Sequence, residues 1–134
     1  MRKPEQRFWD HLHNNKLIHG DVHRIENKVE LGTPDVVACY KGTQVWIELK
    51  VGKPNQLLTL IREEQFLWHI MHTFKGEGRV FVLLRYMDSI NAYQVINKMA
   101  REDRYVLRDV IQMGQMHEYV RKRLNLVLFN QIKV

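Results

Sequence analysis

The chain has one cysteine among 134 residues, Cys39, so it can form no internal disulfide. That thiol lies in the apolar run Val36-Val37-Ala38-Cys39-Tyr40. It is therefore expected to be buried and structural, a usage that suits a reducing compartment. Prolines number three, and no Gly-, Ser- or Pro-rich stretch, repeat or low-complexity segment divides the sequence. No apolar run approaches the roughly 20 residues of a membrane span. The start, Met1-Arg2-Lys3-Pro4-Glu5, lacks the apolar centre of a secretion signal, so a cytoplasmic, unsecreted protein without a membrane partner is expected. The Walker loop, G-x-G-x-x-G and G-x-S-x-G are all missing, and no organic cofactor is expected. Seven histidines invite a zinc reading, but a single cysteine cannot complete the usual ligand sets. His19 and His23 would need a helix that Gly20 opposes. With His11 and His13 they are read as surface or loop residues.

At this length one domain is expected, able to bury about two-thirds of its unfolded surface. The net charge of +6 and pI near 9.6 point to an anionic partner, of which nucleic acid is the commonest. The basic residues are scattered, with Arg121-Lys122-Arg123 the densest group.

Periodicity predicts a helix starting at Pro4 with Phe8, Trp9 and Leu12 on one face, ending near Asn14-Asn15. A strand follows within 22–30. Two more, Asp35–Tyr40 and Gln44–Val51, form a hairpin about Lys41-Gly42-Thr43. Past a loop with Gly52 and Pro54, a helix is expected over 59–74, capped by Thr59. Leu60, Leu67, Met71 and Phe74 align on it, flanked by Ile61, Trp68 and Ile70, and Lys75-Gly76-Glu77-Gly78 closes it. Arg79–Arg85 and Ala92–Ile96 read as strands and Met116–Leu128 as helical; residues 97–114 stay unassigned. The sum is an α/β fold, a mixed central sheet flanked by helices. Its core spans about 5–96, with a helical tail over 97–134.

The informative residues are Gly32-Thr33-Pro34-Asp35 and, thirteen residues on, Glu48-Leu49-Lys50. Strand alternation puts Val45, Ile47, Leu49 and Val51 on one face and Trp46, Glu48 and Lys50 on the other. Asp35 begins the neighbouring hairpin strand. Two carboxylates facing one site call for a cation. Oxygen-only ligands suit Mg²⁺ or Mn²⁺, with water and substrate phosphate completing the shell. Lys50 can neutralise developing charge, orient the attacking water or, with a depressed pKa, act as a base. Glu-x-Lys alone is more often the solvated face of a half-buried strand, and a lone Asp a turn residue. Their meeting in one hairpin favours a site. Glu5, on the face of Phe8, Trp9 and Leu12, is either a third acid or an N-terminal residue favoured by the helix dipole. Glu26 and Glu30 compete for that role. Arg62, Gln65, His69 and His72 form a polar stripe that could meet a phosphate backbone; for the two histidines a solvated flank is the simpler reading.

An acid in a first helix, then G-x-P-D, then a hydrophobic residue and E-x-K, then a helix carrying Gln, resembles the PD-(D/E)XK nuclease superfamily. More narrowly it resembles the VRR-NUC type, over roughly residues 5–85. The pieces are Glu5, Gly32-Thr33-Pro34-Asp35, Ile47-Glu48-Leu49-Lys50 and Glu64-Gln65 with Trp68. The resemblance implies a restriction-endonuclease-like core. Asp35, Glu48 and the Leu49 carbonyl would bind Mg²⁺ or Mn²⁺, Glu5 would assist and Lys50 would be catalytic. Gln65 would support the site or substrate, and Arg62 and Lys53 are the candidate substrate-binding cations. Stand-alone members are small, often viral, and resemble structure-specific endonucleases such as Holliday-junction resolvases, which work as dimers. The expected function is a metal-dependent endonuclease on branched DNA. The alternatives are a sequence-specific endonuclease of the restriction or homing kind and a silent nucleic-acid-binding module.

Overall fold

The computed structural model describes residues 2–26, 30–72, 79–99, 106–117 and 121–129. Helix α1 (Pro4–Asn14) begins at a proline, and the Gln6 side chain accepts the Lys3 N–H at 3.0 Å to close its first turn. Strands β1 (Asp21–Arg24), β2 (Val36–Tyr40) and β3 (Thr43–Val51) follow. Lys41 and Gly42 join β2 to β3 with φ of 50° and 81°, the left-handed pair that a tight hairpin of matching twist needs. A 3₁₀ turn (Pro54–Gln56), α2 (Leu57–Leu60) and α3 (Glu63–His72) lead to β4 (Val80–Tyr86), β5 (Ser89–Met99), β6 (Val106–His117) and α4 (Arg121–Phe129). The six strands form one sheet in chain order, antiparallel throughout except β3–β4. That parallel pair requires the crossover that α2 and α3 supply.

Alternation sorts the sheet into two faces. Val45, Ile47 and Leu49 of β3, with Val36, Ala38, Phe81, Leu83, Ile90 and Ala92, pack against Phe8 and Leu12 of α1 and Leu124 and Leu128 of α4. On the other face Val82, Leu84, Tyr93 and Val95 pack against Leu57, Ile61 and Phe66 of the crossover. Glu48 and Lys50 belong to that second face, beside Val82 and Leu84 in the parallel register. Among the described residues no helix is long and apolar enough to cross a membrane.

The mixed sheet between helices agrees with the sequence pattern, but several details differ. Cys39 is exposed, not buried, because β2 turns Val36 and Ala38 inward and leaves the Cys39 position uncovered. The expected helix over 59–74 is broken: Ile61 is extended (φ −85°, ψ 116°) between α2 and α3. Thr59 does not cap α3; its hydroxyl donates to the Gln56 carbonyl at 2.6 Å. The buried arc is rotated as well. Leu67 and Met71 are 51% and 55% exposed, whereas Gln65, Phe66, Trp68 and His69 are buried. Phe74 and the closing turn 75–78 lie outside the described residues, as do 27–29 of the expected strand in 22–30.

Beyond residue 96 the chain is not a helical tail. Strand β5 runs on to Met99, β6 completes the sheet, and α4 closes the α1 face with Leu124, Leu128 and Phe129. Two side chains clamp α4. Arg79 donates to the Leu128 carbonyl at 2.6 Å, and Asn125 donates to the Leu17 carbonyl at 2.8 Å. Residues 100–105, 118–120 and 130–134 of that stretch lie outside the described residues.

Candidate active site

The β2–β3 register pairs Val36 with Ile47, so Asp35, one step beyond the ladder, comes opposite Glu48. Opposed residues of an antiparallel pair share a face. The hairpin therefore gathers Asp35, Glu48 and Lys50 on the α3 side, as strand alternation predicts. Asp35 Oδ2 accepts the Leu49 N–H at 2.8 Å, which fixes the carboxylate against the backbone between the other two residues. The even-numbered residues Trp46 and Gly52 direct their N–H groups to β4, accepted by the carbonyls of Arg79 and Arg85. Leu49 faces the opposite way. A strand residue's N–H and C=O point to the same side, so the Leu49 carbonyl is directed toward Asp35, past the last paired residues of β2.

Glu48 is 2% exposed and Lys50 8%, and Lys50 Nζ lies 3.8 Å from Glu48 Oε2. With Asp35 half-buried beside them, the group holds two carboxylates and one ammonium. Burying ions rarely stabilises a fold, since desolvation offsets their attraction. Such a group marks a candidate functional site.

Gly32 explains how α3 reaches this group. Its φ is +86°, and a Cβ there would overlap the Glu64 carbonyl and crowd the Gln65 nitrogen. The Gly32-Thr33-Pro34 loop thus lies directly on the first turn of α3. There Gln65 Oε1 accepts the Arg62 N–H at 3.0 Å and replaces Thr59 as the cap. Trp68 meets Trp46 edge-on at 5.4 Å, and His72 stacks on Trp68 at 3.5 Å while its Nδ1 lies 2.8 Å from the Trp68 carbonyl.

His69, for which a solvated flank was the simpler reading, is instead buried. It is 0% exposed, and neither ring nitrogen has a hydrogen-bond partner among the described residues. Its pKa is lowered to about 4, first by desolvation, then by the positive charge of Lys50 and by His72, while Asp35 opposes the shift. The imidazole is therefore neutral, one nitrogen an acceptor and the other a donor. Its four-residue spacing from Gln65 was visible. The stripe read as solvated because the helix was phased on Leu67 and Met71.

The other expected residues lie on the surface. Glu5 is exposed in the first turn of α1, on the helix that covers the opposite face of the sheet. Glu26 and Glu30 are also exposed, and the Glu30 carbonyl accepts the Thr33 hydroxyl at 2.9 Å. Among the described residues no group of three or more His, Cys, Asp or Glu side chains comes together to hold a metal. Arg62 and Lys53 are exposed, and Arg62 pairs with Glu64 at 3.2 Å.

No protein-family model matches the chain, and no curated protein matches it.

Proposed function

We propose that this protein is a Mg²⁺- or Mn²⁺-dependent endonuclease that hydrolyses DNA phosphodiester bonds. The PD-(D/E)XK, VRR-NUC-like pattern further suggests branched substrates such as four-way junctions. The observation that carries the reading is the buried Glu48–Lys50 pair with Asp35 clamped to the backbone amide between them. The donors fit the metal. Two carboxylates and the Leu49 carbonyl are hard oxygen ligands, few enough to leave places for water and phosphate, as Mg²⁺ prefers. When bound, the cation supplies charge neutralisation at the scissile phosphate and acidifies a coordinated water.

The protein's own groups do the rest. Asp35 and Glu48 would hold the cation. The Leu49 N–H keeps the Asp35 carboxylate from turning away. Lys50 places its ammonium where charge accumulates on the phosphate oxygens, in a site too buried for bulk water to screen it. Gln65 holds the first turn of α3 over the site, and Arg62 and Lys53 offer exposed cations for the flanking backbone. The net charge of +6 favours DNA approach. Leu67 and Met71, exposed on α3, offer an apolar surface for a homodimer, which sedimentation would detect.

The deciding assay is cleavage of labelled single-stranded, duplex and four-way-junction DNA with each metal. Asp35→Ala and Lys50→Ala, checked for folding by circular dichroism, should abolish cutting. Unchanged activity in both variants would sink the assignment. Salt-sensitive, metal-independent binding without cleavage would instead indicate a binding module, and fixed cut sites on long DNA a sequence-specific enzyme.

A further inference from the structure

A cleft of about 660 Å³ opens on the α1 face between that helix, the chain at Lys16–Gly20, and strands β1 and β2. Its volume falls within the roughly 300–1,000 Å³ of small-ligand sites. The lining joins the rings of Trp9, His13, His19 and Tyr40 to apolar Leu12, Ile18 and Val22, with Lys16 its one cation and Asp21 its one acid. The Trp9 and His13 rings stack at 4.9 Å and 19°, and those of His19 and Tyr40 lie 5.2 Å apart. The Lys41 ammonium sits 5.3 Å from the Tyr40 ring centre. Asp21 is engaged by His23 at 2.8 Å, whereas Lys16 forms no ion pair among the described residues.

The cleft is built into the fold. Asn125, 5% exposed on α4, accepts the His19 N–H at 2.7 Å and donates to the Leu17 carbonyl at 2.8 Å, locking one wall. Gly20, at φ +89°, lets that wall lie against β2, where a Cβ would overlap the Cys39 carbonyl.

Aromatic faces beside cations suit a planar ring that carries an anion, and every nucleobase offers such a face once it leaves the duplex. The cleft and the carboxylate site occupy opposite faces of the sheet and opposite ends of β2. Tyr40 lies five residues from Asp35, roughly 17 Å along the strand. Among the described residues β1 is an edge strand paired with β2 alone. A DNA strand leaving the site could pass around this edge within a few nucleotides.

We propose that this cleft binds one unpaired nucleobase of a DNA strand, stacked on Trp9 and Tyr40, with its phosphate against Lys16. It rests on the reading of DNA as partner, but needs neither metal nor cleavage.

The test is fluorescence anisotropy of short labelled oligo-dT and of a blunt duplex, both in EDTA. Trp9→Leu should weaken oligo-dT binding roughly tenfold while leaving the duplex within about twofold, and Trp9→Phe should restore it. Lys16→Glu, at an exposed position that leaves the core untouched, should weaken oligo-dT binding and lower its salt slope by about one. Wild-type binding by both Lys16→Glu and Trp9→Leu would overturn the proposal, as would an equal loss on the duplex. A protein that shows the expected pattern yet cuts no DNA keeps the cleft and loses the nuclease. One that cuts DNA with oligo-dT binding indifferent to Trp9 and Lys16 keeps the nuclease and loses the cleft. Wild-type protein that binds no oligo-dT in EDTA overturns the cleft, whereas the nuclease stands or falls on cleavage with metal.

Discussion

The Asp35 carboxylate accepts its hydrogen bond from the Leu49 N–H at 2.8 Å, so the first acid of the site is oriented by the strand that carries the second. Glu48 and Lys50 flank that amide, so one hairpin carries all three charges. Catalytic carboxylates must be held to within a fraction of an ångström, and a backbone amide in a paired strand does this better than a mobile side chain.

The buried pair is expected to trade stability for function. Replacing Glu48 and Lys50 together by Leu and Met removes two desolvated charges. This should leave the metal-free protein as stable or stabilise it by roughly 1–4 kcal/mol, read by urea denaturation. Cleavage should vanish. A double variant several kcal/mol less stable would mean that the pair is structural.

Gly32→Ala should be far more harmful than Gly42→Ala. Both glycines have positive φ, 86° and 81°, and alanine there costs about 1–2 kcal/mol in backbone strain alone. At Gly42 nothing lies within 4 Å of the added methyl, but at Gly32 it meets the Glu64 carbonyl. Thermal denaturation should show a modest loss for Gly42→Ala and a clearly larger one for Gly32→Ala. Only Gly32→Ala should also lower cleavage, because it pushes α3 off the site.

His69 predicts the acid limb of stability. Its folded pKa of about 4 lies below the unfolded 6.5, so between these values the unfolded chain binds more protons. Stability from this group is fully present above pH 6.5 and falls with acidification toward pH 4, by roughly 3 kcal/mol in all. Urea titrations at several pH values should show the slope, and His69→Phe should flatten it.

His69→Phe also separates packing from chemistry. It replaces a buried imidazole whose nitrogens lack partners with an apolar ring of similar size, which is neutral or stabilising at pH 7. If the imidazole positions water or phosphate in the site, cleavage should fall at least about tenfold while DNA binding in EDTA stays unchanged, and His69→Gln should recover part of it. Full activity in His69→Phe would assign the residue to packing alone.

Asn125→Leu should loosen the C-terminal helix. The side chain bonds the chain at Leu17 and His19, over 100 residues away, and is buried. Its loss leaves a backbone carbonyl and N–H without those bonds, about 1–3 kcal/mol each by the cost of buried unsatisfied groups. Urea denaturation measures the loss. A change under about 0.5 kcal/mol would mean that water replaces the clamp.

Much of the hairpin could be read directly from the chain. A period of two fixes which residues of β3 share a face, and Lys41-Gly42 is a strong local turn, so Glu48, Lys50 and Asp35 could be grouped without coordinates. Helix α1 carried its own start signal at Pro4. The crossover was less legible because its apolar residues surround the helix. Phe66, Leu67, Trp68, Ile70 and Met71 leave no phase preferred, and the buried arc is set by what it must cover. The face it covers carries Glu48 and Lys50, so polar Gln65 and His69 turn inward and Leu67 and Met71 outward. Glu5 illustrates the converse. Its face of α1 was correct, but that helix covers the apolar side of the sheet, away from the carboxylates.

Sequence by itself determined the hairpin strands β2 and β3, the buried strand β4 and the meeting of two acids with a lysine, because alternation and turn geometry act over a few residues; it did not determine β6. Only the tertiary structure decided which helix covers that group, that Gly32 admits α3 so closely, and that α4 belongs to the core through Asn125 and Arg79. Those depend on contacts between residues far apart in the chain, where no local period or propensity chooses among faces of similar hydrophobicity.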